Sequence, residues 1–270
     1  MSMAAIEERG MVLLGCGKMG SAMLAGWLSG GISPTAIWVL DPYPSDWLRG
    51  TGVHVNEGVP ANPAIALIAV KPQMMGDALP SMAALGNATT VFLSIAAGTP
   101  ISAFETALGG DSPIIRAMPN TPAAIGRGIT AIVGNANATT AHMDMADALL
   151  RAVGQVVRLE GEHQIDAVTG VSGSGPAYVF HLIEALAAAG VAEGLPADLA
   201  MKLAKATVGG AGQLAEDVSE DPSQLRVNVT SPNGTTHAAL QVLMDEKTGF
   251  PPLLRRAVKA AADRGRELGK

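Results

Sequence analysis

Residues 11–20 read MVLLGCGKMG, four apolar positions running straight into Gly15, Gly17 and Gly20. No other feature restricts the fold of this chain as tightly. Four apolar residues suffice for a buried strand, and apolar residues at helical spacing over 19–28 supply the helix that must follow. Glycine at the first position permits a tight turn out of the strand. At the second it lets the backbone approach a pyrophosphate, and at the third it lets helix and sheet pack closely. The helix beginning there offers free N–H groups and the positive end of its dipole to phosphate oxygens. Lys18 and Met19, between the glycines, join them as expected cofactor-binding positions. A purely structural glycine turn, or a turn holding another ligand, would have the same spacing. Cys16 reads as a small residue of the turn, since the chain has no second cysteine with which to form a redox pair.

The rest of the first half repeats the strand-then-helix pattern. Compact apolar runs at 37–40, 65–70, 91–95 and 114–118 alternate with helical stretches at 74–85 and 101–108. Thr99 before Pro100 predicts an N-cap followed by proline at the first helical position. A strand at 129–133, a helix at 140–150 and a strand at 156–159 extend the pattern to about residue 162. The expected fold class is therefore α/β, a Rossmann-like doubly wound, mostly parallel sheet with helices on both faces, over residues 1–162. The second strand ends at Asp41, whose carboxylate can accept from the adenosine ribose hydroxyls and would repel a 2′-phosphate. That favours NADH over NADPH. A turn-forming Asp-Pro is the plainer reading, and Arg49 points the other way, towards a phosphate. Val70, Lys71 and Pro72, and likewise Ala96 and Ala97, leave strands at their C-terminal ends, the ligand side of such a sheet.

From residue 163 to 270 the pattern becomes wholly helical. Residues 176–192 are apolar on nearly all sides, which suits a central helix or a subunit contact. A second long helix follows Pro196 and carries Gly209, Gly210 and Gly212, each costing about 1 kcal/mol relative to alanine unless another backbone packs closely there. Shorter helices are expected over 222–229, 234–244 and 252–268. The half is too apolar for a freestanding bundle, so dimerisation is expected. Eighteen basic against 24 acidic residues give a net charge of −6, the wrong sign for binding nucleic acid. A single cysteine excludes an intrachain disulfide and a thiolate cage for zinc. The first ten residues hold two glutamates and no apolar core of signal-peptide length, and no segment reads as an uninterrupted membrane span. A cytoplasmic protein with no membrane contact is the expectation.

The sequence shows no Ser–His–Asp or HExxH signal and no clustered metal ligands, and its five histidines are scattered. Two stretches of small polar residues stand out instead, 171–176 (VSGSGP) and 231–236 (SPNGTT). Each directly precedes a predicted helix and can aim N–H groups and hydroxyls at a small anion such as a carboxylate. A capped turn has the same composition.

Taken in order, GCGKMG at 15–20, AVKPQ at 69–73, SIAAG at 94–98, RAMPNTP at 116–122, DAVTGVSGSGPAYVF at 166–180 and NVTSPNGTTHAAL at 228–240 resemble the pyrroline-5-carboxylate reductases across nearly the whole chain. Asn233 stands where that family usually has a glycine, a departure asparagine tolerates because it reaches unusual backbone angles. The resemblance implies a helical dimerisation and substrate-binding domain at 163–270, dimers that commonly assemble into a decamer, and a site between one subunit's nucleotide domain and its partner's helices. It implies reduction of 1-pyrroline-5-carboxylate to L-proline by NADH or NADPH. It also implies that Ser231, Asn233, Gly234 and Thr235 receive the substrate carboxylate and that Thr236 hydrogen-bonds the ring nitrogen. Glu220, Asn228, Ser174, Gly175, Pro119 and Asn120 would line or support the site, the last two beside the cofactor. An imine is already electrophilic once protonated, which fits a chain without an evident strong base. A hydroxyacid dehydrogenase or another imine reductase has similar architecture, but the former needs a lysine beside its substrate. The nearest after residue 176 are Lys202 and Lys205, for which solvent exposure is the plainer fate. A non-catalytic nucleotide sensor would leave both polar stretches unexplained.

Overall fold

The structure is a computed structural model, and it describes residues 3–269. It divides into two compact units, one running through Gly173 and resuming at Ala261, the other comprising Ser174–Ala260.

The first unit is built on one eight-stranded sheet. Its strands are β1 (Met11–Leu14), β2 (Ile37–Leu40), β3 (His54–Val55), β4 (Ile65–Ile68), β5 (Val91–Ser94), β6 (Ile114–Met118), β7 (Gly128–Gly134) and β8 (Gly154–Arg158), in the spatial order 3-2-1-4-5-6-7-8. All neighbours pair parallel except β6 and β7. Every residue of β1, β4 and β5 is buried, as parallel strands covered on both faces must be. Alternate residues feed opposite cores. Met11 and Leu13 pack with Met23, Trp27 and Leu149 on one face, whereas Val12 and Leu14 pack with Phe104 and Met82 on the other. The order 3-2-1-4-5-6 is that of dinucleotide-binding sheets, with its topological switch between β1 and β4.

Several local expectations give way here. A helix, Met3–Arg9, precedes β1, and the two-residue β3 extends the sheet edge; neither is long enough to leave a clear period. The segment expected as one helix over 74–85 is a 3₁₀ turn (Pro72–Met74), one α turn (Met75–Ala78) and a further 3₁₀ stretch (Leu79–Leu85). Pro80 lies inside it, and an interior proline removes a helical hydrogen bond and clashes with the preceding turn. The helix Ile101–Leu108 has Pro100 rather than Thr99 in its N-cap position, with no cap from a local side chain.

In the second unit the helices Gly175–Ala192, Ala197–Asp217, Pro222–Asn228 and Thr235–Leu243 follow one another, and Phe250–Leu268 leads back to the first unit. The stretch expected as an open loop before the first of these is wound. Thr169–Gly173 forms a π-helical turn, so that Glu162–Ala192 is one helical run of 31 residues. Joined in this way, it is long and apolar enough by length and composition to cross a membrane, which the interrupted sequence pattern did not suggest. Its apolar side chains are open: Phe180 is 59% exposed, and Val179, Leu182 and Leu186 are exposed too. Among the described residues of this unit the buried apolar side chains are Ala187, Ala200 and Ala204. Gly209, Gly210 and Gly212 have nothing within 4 Å of the place where a Cβ would stand, so among the described residues no backbone makes the expected close approach.

Candidate active site

The turn after β1 assigns its three glycines different work. Gly15 has φ +89°, and a Cβ there would stand 3.0 Å from the Ala69 carbonyl oxygen and from Val70 Cγ1. At Gly20 a Cβ would stand 2.5 Å from the Gly15 oxygen. Protein backbone thus requires the first and third glycines. Gly17 has nothing within 4 Å, so its open side faces away from the protein. Gly17 is also the N-cap of the helix Lys18–Ser29 and supplies no side-chain cap, which leaves first-turn N–H groups for an external anion. Lys18 is exposed, and Met19 leans on the core.

Asp41 closes this turn from the end of β2. Its Oδ2 accepts from Cys16 N at 2.6 Å and its Oδ1 from Tyr43 N at 2.8 Å. Asn56, at φ +56°, brackets the Asp41 backbone, accepting from its N–H at 3.0 Å and donating to its carbonyl at 2.8 Å. Burial, and secondarily the Asp41 charge, push the Cys16 thiol up to about 11, which keeps it protonated near neutrality. Across the switch, Ala69 N donates to Leu14 O at 2.8 Å and holds Val70 beside Gly15, while Lys71 and Pro72 are exposed at the start of a 3₁₀ turn. Ala96 is buried with its N–H on Ser94 Oγ at 3.2 Å, and Ala97 beside it is half-buried. Pro119 and Asn120 are buried, but Asn120 Oδ1 accepts from Ile129 N at 3.0 Å, so part of its capacity serves the start of β7.

The second unit carries the other group of expected residues. In the turn 231–236 Asn233 has φ +57°, a left-handed conformation that asparagine tolerates better than most side chains. Gly234 N donates to Ser231 O at 3.0 Å, and a Cβ on Gly234 would strike Ser231 Oγ at 2.3 Å. Gly234 caps the helix Thr235–Leu243 without a side-chain acceptor, leaving first-turn N–H groups free for an anion. Ser231 and Thr235 are exposed there and Thr236 is half-buried. Asn228 Nδ2 donates to Glu220 Oε1 at 3.3 Å, while Gln224 Nε2 donates to Asn228 Oδ1 at 2.8 Å, so these residues form one polar group. Ser174 and Gly175 sit where the π-helical turn passes into the helix, with Ala177 N on Ser174 O at 3.0 Å. Lys202 and Lys205 are exposed.

Sequence reasoning passed over Asn56, Arg116 and Glu162. Asn56 had a faint signal in the Asn-Glu-Gly turn. Arg116 had a clearer one, a charge inside the apolar strand β6, because a buried guanidinium requires a partner. That partner is Glu162, at 2.7 Å.

With this geometry in hand, comparison with known proteins is specific. Residues 162–268 match the family model for the pyrroline-5-carboxylate reductase dimerisation region, and residues 11–98 match one described as NADP oxidoreductase, coenzyme F420-dependent. A pyrroline-5-carboxylate reductase of Synechocystis is 43% identical over 265 residues, covering 96% of this chain and 97% of the relative. The solved structure of the Coxiella burnetii pyrroline-5-carboxylate reductase superposes with a TM-score of 0.90 at 32% identity, over 97% of this chain and 99% of that one. The Plasmodium falciparum pyrroline carboxylate reductase, solved with NADP bound, gives a TM-score of 0.84 at 28% identity, over 98% and 99%.

Proposed function

Because this chain belongs to the pyrroline-5-carboxylate reductase family, and so reduces 1-pyrroline-5-carboxylate to L-proline with NAD(P)H in proline biosynthesis, we propose how its own residues divide that work. The carrying observation is the glycine turn, in which Gly15 and Gly20 are hemmed in by backbone and Gly17 alone has an open side. A dinucleotide pyrophosphate fits there, against the N–H groups of the helix that starts at Lys18. Val70, Lys71, Pro72, Ala96, Ala97, Pro119 and Asn120 border the rest of the cofactor. Each Asp41 oxygen has accepted one backbone N–H and keeps capacity for a ribose hydroxyl, while its charge opposes a 2′-phosphate. NADH is therefore the preferred reductant, even though the Plasmodium relative was solved with NADP.

The turn 231–236 receives the substrate carboxylate on the N–H groups of Asn233 and Thr235, with Ser231 and Gly234 shaping the turn alongside, since the Gly234 N–H is spent on Ser231 O. Thr236 orients the ring nitrogen through its hydroxyl, and Glu220, Asn228, Ser174 and Gly175 line or support the pocket. When bound, the nicotinamide supplies the hydride that the imine carbon takes up. The protein's contribution is positioning and exclusion of water, because a protonated imine needs no strong base. A hydroxyl does not titrate near neutrality, so Thr236 holds the nitrogen and the imine proton arrives with the substrate or from water. Residues 163–270 form the dimerisation and substrate-binding domain, dimers assemble into a decamer, and the enzyme works in the cytoplasm.

The test is a steady-state assay of the purified protein with 1-pyrroline-5-carboxylate, run separately with NADH and NADPH, following nicotinamide absorbance and proline, with native mass measured in parallel. The expected outcome is proline formation with the larger kcat/KM for NADH and a decameric mass. A larger value for NADPH would remove the role given to Asp41, and a dimeric mass would remove the decamer.

A further inference from the structure

Loop 94–100 leaves β5 carrying Ala96 and Ala97, its first residues packed on the cores and its second half, at Gly98 and Pro100, bordering open space. A cleft of about 360 Å³, lined by Gly98, Pro100, Arg116, Glu162, Arg266 and Gly269 among others, opens at its back. Beyond Ile95 N on Ile68 O at 3.1 Å, contacts along its length set its course. At its start the buried Ser94 hydroxyl accepts from Ala96 N. In the middle Gly98 has φ +77°, and a Cβ there would stand 2.9 Å from Leu268 Cβ, so the end of the last helix closes on the loop. At its far end the helix Ile101–Leu108 begins, with Pro100 in the N-cap position and no hydroxyl or carboxylate of its own to offer. Ile101 N donates instead to Glu162 Oε1 at 2.8 Å, across 61 residues of chain.

The same oxygen accepts from Arg116 Nη1 at 2.7 Å. Arg116 rises from β6 with its side chain only 8% exposed, and its Nε is buried without a hydrogen-bond partner. A guanidinium so placed demands a counter-charge, and a short charge-assisted bond to it leaves Glu162 little freedom. A serine or aspartate in the place of Pro100 would have capped the helix equally well. The long-range tie does something a local cap does not: it fixes the helix start, and the loop feeding it, relative to the sheet.

We propose that Glu162 is a positioning residue for the nicotinamide cofactor, a strut from Arg116 to Ile101 N that holds loop 94–100 in register with the bound dinucleotide. The inference rests on the reading that Ala96 and Ala97 border the cofactor. Removing Glu162 alone would strand the Arg116 charge, so the test uses paired variants in which that charge is gone. Arg116→Met/Glu162→Gln keeps an oxygen for Ile101 N–H, whereas Arg116→Met/Glu162→Ala does not. Cofactor Kd by fluorescence titration, cofactor KM, and substrate KM at saturating cofactor are measured for both. The Gln pair is expected to stay within about twofold of wild type. The Ala pair should bind NADH and NADPH about tenfold more weakly, the upper end of what one neutral hydrogen bond contributes, with substrate KM unchanged. Wild-type binding by both pairs, or equal weakening of both, would overturn the strut. Ala97→Trp, run alongside, separates the two ideas. If it leaves cofactor binding intact, the loop does not border the cofactor and the underlying reading falls. If it abolishes binding while the Ala pair binds normally, the strut alone falls.

Discussion

Gly17 and Gly20 stand three residues apart in one turn, yet alanine should do opposite things to them. At Gly20 the new methyl meets the Gly15 carbonyl at 2.5 Å, and relieving that overlap should cost about 2 kcal/mol of stability. At Gly17 it meets nothing of the protein. Gly17→Ala should melt within about 1 kcal/mol of wild type and lose cofactor affinity; thermal melts and cofactor titrations on both variants check the pair. Thr236→Ala belongs to the same scale. If the hydroxyl serves a positively charged ring nitrogen, about 2 kcal/mol of transition-state stabilisation goes with it, a fall of about thirtyfold in kcat/KM. Cofactor Kd and oligomer mass should not move; unchanged turnover would refute the role given to Thr236. The glycine roles were legible in the sequence because the G-x-G-x-x-G spacing between strand and helix encodes them, even though the wall beside Gly15 is supplied by the distant Ala69 and Val70. Asn56 against Asp41, and Glu162 against Arg116, were not, because their partners lie 15 and 46 residues away and no local period encodes the pairing.

At the scale of elements, most strands and helices could be read from periodicity, and the failures share a cause. The broken stretch at 72–85 and the π-helical turn at 169–173 lie where the local geometry departs from 3.6 residues per turn, so a template of that period misplaces them. The helix Thr140–Leu150 shows the opposite case, a regular element with a titratable start. Thr139 Oγ1 accepts from His142 N, and Thr139 N donates to His142 Nδ1, both at 3.3 Å, a capping box in which histidine takes the usual place of glutamate. Burial holds His142 below the ordinary histidine value of 6.5, with the Arg9 charge acting in the same direction. The unfolded chain therefore takes up this proton first. The contribution of His142 is complete above about 6.5 and declines as pH falls through that value towards its folded pKa. Protonation also turns Nδ1 from an acceptor into a donor and breaks half of the box. His142→Gln, which keeps an acceptor but does not titrate, should flatten the loss of melting temperature between pH 7 and 5. An identical slope in the variant would show that other groups govern it.

For the whole molecule, the second unit cannot be stable on the three alanines it buries by itself. Its apolar length was evident in the sequence, but what covers it was not, since the choice between an internal core and a subunit contact depends on where the other helices go. The exposed Phe180, Val179, Leu182 and Leu186 lie within the dimerisation region, and a subunit contact that covered them would supply the missing burial. Phe180→Asp should therefore yield a chain that sediments as a monomer, melts lower and has lost the concentration dependence of its melting temperature. A dimer of wild-type stability would place the contact elsewhere. The first unit has a different peculiarity: its fold is written in two pieces, because the segment from Ala261 onward belongs to it, with Leu268 closing on Gly98 and Gly265 on Asp166, rather than to the helices it follows. On a ribosome the order of synthesis then matters. The glycine turn and all eight strands emerge early, but Gly98 must wait for Leu268, and the whole of Ser174–Ala260 is made in between. A nascent chain can form the sheet as it appears, yet loop 94–100 meets Leu268 only after the whole second unit has been made, so a chain stopped before Ala261 would be a folded sheet with that loop unfinished.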